Sequence, residues 1–409
     1  MNIKTLFITR EAPYPIFGGV RIRNWQNINI MMNFGPVAIF SAANWSLTPN
    51  SLSGITLWEH YNVEEQRSPW EQGERRFWWL RPSGHPDADW PYSRLAAQKL
   101  AELMTKFKPD IVIFEQVWLF RYLPIVKNYP CHIIFDNHNV EAHLFAQPDR
   151  SKEPLTAKLK ANLQLAHLKQ IEGELTRQSD QVWVCSQEDA HLLGEMYGKD
   201  TPIYVVPNGV NIDNYKTIRS GQCPPPQDLE KTEHIIFYSG QLSYYPNTVA
   251  AELLIDEIYP KIKQKYPDCR LLLVGRVPNQ KMLEAAQQDP DIIVTGTVPN
   301  VEPYLSLASV MVVPLLHGGG TRLKILEAFA AGCPVISTAK GVEGIQAKDG
   351  EALLIRNTID EIVEGIEQLW SQPSLAAKLA DNAYKIVQEK YSWEANYQRI
   401  EQAIKAIFS

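Results

Sequence analysis

The stretch HGGGTRLKILEAFAAGCP, residues 317–334, places three glycines and two cations where a helix is predicted to begin. The amino end of a helix carries unsatisfied N–H groups and a partial positive charge, so cations are unfavourable in the first turn. Arg322 and Lys324 therefore need a compensating negative charge. The stretch also follows a buried apolar run, SVMVVPLL, and parallel α/β sheets bind ligands beyond the carboxyl ends of their strands. We interpret it as an anion-binding loop.

The ends of this helix are predicted from its capping residues. Thr321 is predicted as the N-cap, because its hydroxyl can accept a hydrogen bond from the first turn. Gly332, followed by Pro334, is predicted to end the helix. The glycines of residues 318–320 lack a Cβ, so a ligand can approach the backbone closely and contact its N–H groups.

The charged side chains of this helix are predicted to lie on one stripe. On a projection of about 100° per residue, Gly320, Lys324 and Glu327 fall within about 60° of one another. A diphosphate held by the glycine backbone, Arg322 and Lys324 fits this arrangement, with Glu327 accepting hydrogen bonds from sugar hydroxyls. The alternative is a glycine loop followed by a surface helix with a solvated Lys324–Glu327 pair.

The composition indicates a globular protein without nucleic-acid-binding character. The chain has 409 residues, which suggests two or three domains, and it is 45% apolar and 21% charged. A net charge of −6 argues against a nucleic-acid surface. Its five cysteines form no CxxC pair and are expected to be reduced thiols. Without a signal-peptide core or an apolar run of about 18 residues, we expect a soluble cytoplasmic protein.

Short apolar runs alternate with helical stretches along the chain, which predicts parallel strands buried on both faces. Two series of such runs predict an α/β protein with two Rossmann-like, doubly wound domains. The predicted strands are 4–9, 35–42, 110–116, 132–139, 180–186 and 203–208 in the first series, and 234–240, 270–276, 291–298, 309–316 and 333–339 in the second.

The domain boundary is predicted from turn-rich and proline-rich sequence. PNGVNIDNY (207–215) and GQCPPPQDLEKTE (221–233) are typical of a linker. We place the first domain at 1–207, the second at 208–387 and a final helical segment at 388–409. Neither a GxGxxG sequence after the first strand nor a GxxxxGK[ST] sequence is present, which argues against a dinucleotide dehydrogenase and a P-loop ATPase.

In these motifs the chain resembles the retaining glycosyltransferases of family 4, which have the GT-B fold. The stretch GGGTRLKILEAFAAGCPVIST is similar to their donor-binding signature, and the resemblance extends over nearly the whole chain. The other matching segments are FGGVRIRN (17–24), DNHNVE (136–141), VPNGVN (206–211), FYSGQLSYYPN (237–247), LLLVGR (271–276) and VTGTVPNVEPYLSLASVMVVPL (294–315).

The resemblance implies two domains that face a central cleft, with the acceptor bound by the first domain and a nucleotide-sugar donor by the second. It implies that the final segment crosses back to the first domain. The implied donor-binding residues are Gly18, Gly19, Gly240, Gln241, Asn247, Gly275, Arg276, Val298, Gly318, Gly319, Gly320, Thr321, Arg322, Leu323, Lys324 and Glu327.

The resemblance also implies the chemistry. The implied catalytic residues are His138, Arg322, Lys324 and Glu327, with His138 close to the transferred sugar. Transfer would proceed with retention by front-side attack, without a covalent enzyme intermediate, and mainly through stabilisation of the departing diphosphate. No cofactor and no metal are expected, because cations and not a carboxylate pair face the diphosphate. The alternative for His138 is a structural histidine at a strand end.

The sequence departs from the family pattern in two places. The signature often has a carboxylate eight residues before Glu327, where this chain has Gly319. An arginine and a lysine often follow the first donor-domain strand, where Gln241 and Pro246 stand here. Two other functions therefore stay open: a catalytically silent protein that binds nucleotide sugars, and a nucleotide-sugar epimerase of the same architecture.

The acceptor is not identified by the sequence. Six tryptophans lie between residues 45 and 90, and cations accompany them in RRFWWLRP (75–82): Trp45, Trp58, Trp70, Trp78, Trp79 and Trp90. Aromatic rings with arginines suit sugar stacking or a lipid–water interface, whereas the alternative is that these tryptophans fill the domain core. The donor is expected to be a UDP-, GDP- or ADP-sugar and the acceptor a hydroxyl compound. Peripheral attachment to the inner face of a membrane stays open.

Overall fold

Strands of the chain form two separate parallel sheets, each in its own compact unit. The computed structural model describes residues 2–15, 18–42, 52–63, 67–148, 150–151, 153–318 and 321–408. The first unit consists of Met1–Pro207 and Tyr397–Ser409, and the second of Asn208–Asn396. The predicted α/β architecture with two doubly wound sheets is confirmed.

The first unit is built on a seven-stranded sheet in the order β3-β2-β1-β4-β5-β6-β7. Its central strands are buried along their whole length, which matches their continuous apolar sequence. The strands are β1 (Thr5–Thr9), β2 (Val37–Ser41), β3 (Ile55–His60), β4 (Ile111–Glu115), β5 (His132–Asn137), β6 (Gln181–Val184) and β7 (Ile203–Val205).

Helices connect these strands, as parallel pairing requires. They are α1 (Gly19–Met32), α2 (Pro69–Arg76), α3 (Pro86–Asp89), α4 (Arg94–Phe107), α5 (Leu123–Val126), α6 (Glu141–Ala146), α7 (Leu155–Gln178) and α8 (Gln187–Tyr197), with 3₁₀ turns at Trp78–Leu80 and Val117–Tyr122.

The second unit has a six-stranded sheet in the order β10-β9-β8-β11-β12-β13. Its strands are β8 (Ile235–Ser239), β9 (Arg270–Val274), β10 (Ile292–Val294), β11 (Val310–Val313), β12 (Val335–Ser337) and β13 (Leu354–Ile355). Its helices are α9 (Lys216–Arg219), α10 (Tyr245–Leu253), α11 (Tyr259–Lys265), α12 (Gln280–Gln288), α13 (Glu302–Leu305), α14 (Leu323–Ala331), α15 (Ile359–Ser371) and α16 (Pro373–Ile386). A 3₁₀ turn covers Ile212–Tyr215, and π-helical turns cover Leu254–Ile258 and Val387–Tyr391.

The last helix, α17 (Trp393–Ile407), has the helical periodicity that the sequence predicts. From Tyr397 onward its residues belong to the first unit, where Ile400 and Ile404 are buried in the core beside β1. The side-chain amide of Gln181 donates to the carbonyl oxygen of Ala403 at 2.7 Å. The core of the first unit therefore includes residues from both ends of this sequence.

All eleven predicted strands are present, and the described part of the chain contains two further strands that were not predicted. The missed strand β3 is an edge strand that is only half-buried, so its sequence ITLWEH lacks a continuous apolar run. The missed strand β13 has only two residues and also lies at a sheet edge. Short or half-exposed edge strands carry little of the pattern on which the prediction depends.

Candidate functional site

The glycine–cation stretch lies at the switch point of the second sheet. The chain runs outward from β8 to β9 and β10 and then returns to place β11 on the other side of β8. The loops after β8 and β11 consequently leave the sheet in opposite directions, and the crevice between them is where open α/β sheets bind ligands. Residues 240–247 follow β8, and residues 314–322 follow β11 and lead into α14.

Two predicted donor-site glycines bring the loops after β8 and β9 into backbone contact. A Cβ atom added at Gly275 would lie 1.7 Å from the carbonyl oxygen of Gly240, so no side chain fits there. The N–H of Gly240 donates to the carbonyl oxygen of Val274 at 3.0 Å. A Cβ at Gly240 would in turn lie 2.8 Å from the Lys324 ammonium nitrogen. The lysine therefore packs directly on bare backbone.

The Lys324 ammonium is held by two groups from the β8 side of the site. Its Nζ donates to Oδ1 of Asn247 at 2.9 Å and lies 3.9 Å from the centre of the Tyr238 ring. The Tyr238 hydroxyl donates to the same Asn247 oxygen at 2.8 Å. The amide nitrogen of Asn247 donates to the carbonyl oxygen of Gln241 at 3.0 Å. Lys324 is thus fixed at the base of the loop after β8.

The start of α14 differs from the prediction in one residue. Thr321 is not the N-cap: Arg322 occupies that position with an extended backbone, and its side chain makes no capping hydrogen bond. Thr321 is buried, and its carbonyl oxygen accepts a hydrogen bond from the Asn208 side chain at 3.3 Å. The N-cap therefore lies one residue later than the side-chain capping preference predicts. Gly332 ends the helix in a left-handed conformation, as predicted.

The Arg322 guanidinium lies beside the glycine loop. Gly318 has a φ of 106°, a conformation that favours glycine, and a Cβ there would lie 3.1 Å from Nη2 of Arg322. Arg322 thus lies beside the loop after β11 and Lys324 beside the loop after β8, and the two cations are close enough for the charge of Arg322 to lower the pKa of Lys324. Gly319 and Gly320, two further predicted donor-site residues, lie outside the described residues.

The cations and the carboxylate of α14 perturb one another. Burial, and then the charge of Arg322, lower the pKa of Lys324 to about 7, although Glu327 opposes this. Burial, and then the charge of Glu302, raise the pKa of Glu327 to about 7, against Lys324 and a hydrogen bond from Tyr215. Crowded, desolvated charges of this kind are typical of ligand sites.

The other predicted donor-site residues occupy several positions. The side chains of Gln241 and Arg276 join the loops after β8 and β9, with Nη2 of Arg276 donating to Oε1 of Gln241 at 2.7 Å. Val298 follows β10 and packs at the margin of the core, as does Leu323. Of the predicted donor-site residues, Gly240 and Asn247 lie against Lys324, and Gln241 is joined to Asn247 through its carbonyl oxygen.

The first sheet has a corresponding switch point between β1 and β4. Gly18 is the N-cap of α1, with a φ of 81°, and Gly19 is the first residue of that helix. The helix turns five polar side chains into the unit, and all of them are buried: Arg21, Arg23, Asn24, Gln26 and Asn27. The predicted glycine loop therefore leads directly into a buried polar cluster.

This cluster centres on Asp136, at the end of β5. Nε of Arg23 donates to both of its carboxylate oxygens at 3.1 Å, and Asn27 donates to Oδ2 at 2.8 Å. Nε2 of His138 lies 3.3 Å from Oδ2, and the Cys185 thiol donates to the carbonyl oxygen of His138 at 3.1 Å. His138 is buried, so the predicted residue lies in a rigid polar network and not on an open surface.

Opposite charges set the protonation of this cluster. Burial alone would raise the pKa of Asp136, but Arg23 and then His138 lower it to about 2. Burial lowers the pKa of His138, with Asp136 opposing the shift. The cluster at neutral pH therefore consists of a charged Arg23–Asp136 pair beside a histidine whose neutral form is favoured.

Glu115, which sequence reasoning did not identify, lies at the end of β4 opposite Asp136 in the strand register. It is fully buried, and neither carboxyl oxygen has a hydrogen-bond partner among the described residues. Burial and the charge of Asp136 raise its pKa well above the ordinary value, with Arg23 opposing. Gln116, the next residue, has a φ of 83°, which is unusual for a residue with a side chain.

The tryptophans of the predicted tryptophan-rich region differ in burial. Trp78 is buried and the half-buried Trp58 packs against the core, so the core-filling alternative applies to these two, whereas the half-buried Trp90 lies beside the Arg10 guanidinium. Trp70 and Trp79 are exposed. Trp45 lies outside the described residues. Within the described residues, none of the helices combines the length and hydrophobicity that crossing a membrane requires.

Solved structures of low sequence identity share the fold over the full chain. Sucrose-phosphate synthase from Thermosynechococcus elongatus superimposes with a TM-score of 0.73 at 17% identity, over 100% of this chain and 99% of that one. Anabaena Alr3699/HepE in complex with UDP-glucose superimposes with a TM-score of 0.68 at 14% identity, over 99% and 100% of the two chains. The chain has the predicted GT-B fold.

Sequence comparison places the chain within a family. The profile described as Glycosyltransferase Family 4 matches residues 63–214, and that described as Glycosyl transferases group 1 matches residues 233–372. The chain belongs to these family 4, group 1 glycosyltransferases. Lipopolysaccharide 1,2-N-acetylglucosaminetransferase of Salmonella typhimurium is 24% identical over 225 residues, which cover 50% of this chain and 57% of that protein. The chain spans about half the length of the curated relatives it matches.

Proposed function

We propose that this protein is a retaining glycosyltransferase that moves a sugar from a nucleotide-diphosphate sugar to a hydroxyl group of an acceptor. The second unit binds the donor and the first unit binds the acceptor. Support for the donor class comes from the family and from the Anabaena neighbour, whose structure contains UDP-glucose. A cytoplasmic location, with or without attachment to a membrane surface, belongs to the same proposal.

The convergence of Arg322 and Lys324 carries this proposal. Two cations at the start of one helix repel each other, and burial adds to the penalty, which is visible in the lowered pKa of Lys324. An anion between them would relieve both effects. A diphosphate matches the site chemically, because it can accept hydrogen bonds from both cations at once, and the two cations lie against the side-chain-free backbone of Gly240 and Gly318.

In the proposed reaction, the bond between the anomeric carbon of the donor and its diphosphate oxygen breaks. The acceptor hydroxyl oxygen bonds to the same face of that carbon, and its proton passes to the departing diphosphate. Arg322 and Lys324 stabilise the negative charge that develops on the leaving group, which is where electrostatic catalysis is most effective. Glu327 accepts hydrogen bonds from donor hydroxyls, and no metal or cofactor takes part.

The first experiment identifies the donor by thermal shift with UDP-, GDP- and ADP-sugars. Release of the nucleoside diphosphate is then measured for the wild type and for Lys324→Ala and Arg322→Ala. Each variant loses a charge-assisted hydrogen bond worth about 1.5–3 kcal/mol, so kcat/KM should fall by about 10- to 150-fold. The hydrogen bond from each cation strengthens as the diphosphate leaves and gains negative charge. Each substitution should therefore lower kcat and also raise KM.

The matched control is Lys265→Ala, which removes an exposed lysine that pairs with Glu367 at 2.6 Å. Its kinetics should be those of the wild type. Normal kinetics in both site variants would contradict the proposed phosphate site. Donor binding without turnover for any hydroxyl acceptor tested would indicate a silent binding protein, and epimer formation without an acceptor would indicate an epimerase.

A further inference from the structure

The Lys324 ammonium is held by neutral groups and has no counter-ion in direct contact. Among the described residues, Nζ makes one hydrogen bond, to Oδ1 of Asn247 at 2.9 Å, and forms no ion pair with a carboxylate. The Tyr238 ring lies beside it, with its centre 3.9 Å from Nζ. We call Tyr238 and Asn247 the neutral cradle. Because an ammonium carries three N–H donors, the neutral cradle fixes Lys324 and leaves donors for a ligand.

Another lysine of the same unit shows the more usual arrangement. Nζ of Lys263 donates to Oδ2 of Asp291 at 2.6 Å, so a carboxylate balances its charge. A tyrosine is also nearby, but the centre of the Tyr259 ring is 5.8 Å from Nζ. Lys324 therefore differs from Lys263 in two respects, because its aromatic ring is closer and it has no paired carboxylate.

The neutral cradle is itself held in place. Tyr238 is fully buried on β8, and its hydroxyl donates to Oδ1 of Asn247 at 2.8 Å. Burial raises the pKa of Tyr238, so its phenol stays protonated and uncharged. The amide nitrogen of Asn247 donates to the carbonyl oxygen of Gln241 at 3.0 Å, which keeps the amide oxygen turned towards Lys324. The orientation of both groups is therefore set before a ligand binds.

The charged groups around Lys324 do not replace the missing counter-ion. Burial disfavours the charge of the ammonium, and Arg322 from the same helix start repels it. Glu327 opposes both effects, but burial and Glu302 raise its own pKa to about 7. The face of an aromatic ring attracts a cation, most strongly where water is excluded. The Tyr238 ring therefore supplies stabilisation that a carboxylate would otherwise supply.

We propose that Tyr238 and Asn247 are positioning residues that act on the donor diphosphate through Lys324, by holding its charge in place without neutralising it. A carboxylate in their position would pair with the ammonium and compete with the diphosphate for it. A ring face and an amide oxygen lack the full negative charge that would repel a phosphate. This role rests on the proposed function, because it assigns the neutral cradle to the same diphosphate site.

Titration of the full chain with UDP, GDP and ADP between pH 5.5 and pH 9 tests the role of the ring. Tyr238→Leu removes the ring face and keeps an apolar side chain, so Lys324 should lose its charge at a pH about one unit lower. The affinity of this variant should be close to that of the wild type at pH 5.5 and about tenfold weaker above pH 8. Tyr238→Phe keeps the ring and should retain the wild-type pH profile.

Asn247→Asp tests whether the cradle must be neutral, because it places a carboxylate beside the ammonium with little change in shape. Lys324 should then stay charged to higher pH, so the decline in affinity above pH 7 should flatten. Affinity at pH 6 should nevertheless fall about tenfold, because the carboxylate competes with the diphosphate and repels it. Affinity at pH 6 equal to that of the wild type, or higher, would overturn the proposal.

The matched control is Tyr259→Leu, the same substitution beside Lys263, whose charge Asp291 balances. It should leave the pH profile of nucleotide affinity unchanged, and melting temperatures should show that all variants are folded. A merely structural role of Tyr238 would lower affinity by the same factor at every pH, and that result in Tyr238→Leu would overturn the proposal.

A measurement on the free protein separates this proposal from the proposed function. NMR titration of isotope-labelled lysine gives the pH at which Lys324 loses its charge, and the loss of a signal in Lys324→Arg identifies it. If the wild type binds none of the three nucleotides, the proposed function is contradicted. The NMR titration then still decides the role of the ring, because an unchanged Lys324 titration in Tyr238→Leu would overturn it and a lowered one would support it.

Discussion

The backbones of Gly240 and Gly275 are in contact, since a Cβ at Gly275 would lie 1.7 Å from the Gly240 carbonyl oxygen. This contact holds together the loops after two neighbouring strands. Gly240 also lies under the Lys324 ammonium, where a Cβ would come within 2.8 Å of Nζ. The position of Lys324, which we propose to bind the diphosphate, therefore depends on two residues that have no side chain.

Gly275→Ala is expected to destabilise the second unit by about 1–3 kcal/mol, because the methyl group can be accommodated only if the backbone moves. Donor affinity should fall as well, since the movement displaces Gly240 under Lys324. Denaturant unfolding and donor titration measure the two effects. Gly73→Ala is the control, because a Cβ there has no neighbour within 4 Å. If Gly275→Ala is as stable as the wild type, the backbone contact between Gly240 and Gly275 is contradicted.

Nucleotide binding is expected to weaken as pH rises above 7. With a pKa of about 7, Lys324 is about half neutral at pH 7 in the free protein, and a bound diphosphate would favour its charged form. Binding therefore takes up a proton, and affinity falls by up to about tenfold for each pH unit above the free pKa. Calorimetric titration with the nucleoside diphosphate between pH 7 and pH 9 measures this dependence.

Two variants test whether Lys324 causes this pH dependence of nucleotide affinity. Lys324→Arg should flatten it, because a guanidinium stays charged over the whole range. Glu327 also has a pKa of about 7, so Glu327→Gln is needed to remove its contribution, and the Lys324 dependence should persist in that variant. An affinity that is independent of pH in the wild type would show that Lys324 does not contact the diphosphate.

His138→Ala is expected to lower turnover strongly and to leave nucleotide binding nearly unchanged. His138 belongs to the first unit, whereas Arg322 and Lys324, which are proposed to hold the diphosphate, belong to the second. Turnover and nucleotide affinity are measured on the same preparation, with the exposed His191→Ala as control. A collapse of nucleotide affinity would mean that His138 is misplaced, and unchanged turnover would support a purely structural histidine.

Glu115→Gln is expected to stabilise the protein at neutral pH, by an amount on the order of 1 kcal/mol. The raised pKa of Glu115 means that folding takes up a proton, so its contribution becomes less favourable as pH rises above the ordinary value of 4.5. Below that pH both states are protonated and wild type and variant should converge. Thermal unfolding from pH 4 to pH 8 tests this, with the exposed Glu284→Gln as control. A difference independent of pH would contradict it.

Transfer is expected to continue without a divalent metal, because Arg322 and Lys324 supply the positive charge that a metal would otherwise supply. The measurement is the rate of product formation before and after EDTA treatment. The product is detected directly, because a coupling enzyme could itself need a metal. A rate that EDTA abolishes and Mg²⁺ or Mn²⁺ restores would contradict this prediction.

The sequence predicted the elements of the fold well because buried parallel strands have continuous apolar runs. Each of the eleven predicted runs contains a strand, whereas the half-buried β3 and the two-residue β13 lack that pattern. The N-cap of α14 was predicted one residue too early, at Thr321 instead of Arg322, and the hydrogen bond from Asn208, more than a hundred residues earlier, to the Thr321 carbonyl oxygen was not predicted. Capping rules use only neighbouring residues in the sequence, so they cannot predict a hydrogen bond between residues so far apart.

The same limit applies to the candidate site. Arg322, Lys324 and Glu327 could be identified because cations at a helix start are unusual in any sequence. Tyr238 and Glu115 could not, because their roles depend on which strands become neighbours. Arg23 was not predicted, although the sequence contains one indication of its role. It follows a glycine loop, and its spacing of four residues from Asn27 places both on one helix face.

The composition of the first unit constrains the order in which the chain can fold during synthesis. Ile400 and Ile404 complete a core whose other members include Phe7 and Ile39, so that core stays open until residues 397–408 have left the ribosome. The second unit is made of one continuous segment, Asn208–Asn396, and can close earlier. The part of the first unit that precedes Asn208 is therefore translated before the second unit but becomes fully native after it, and until then it exposes apolar surface on which chaperones could act.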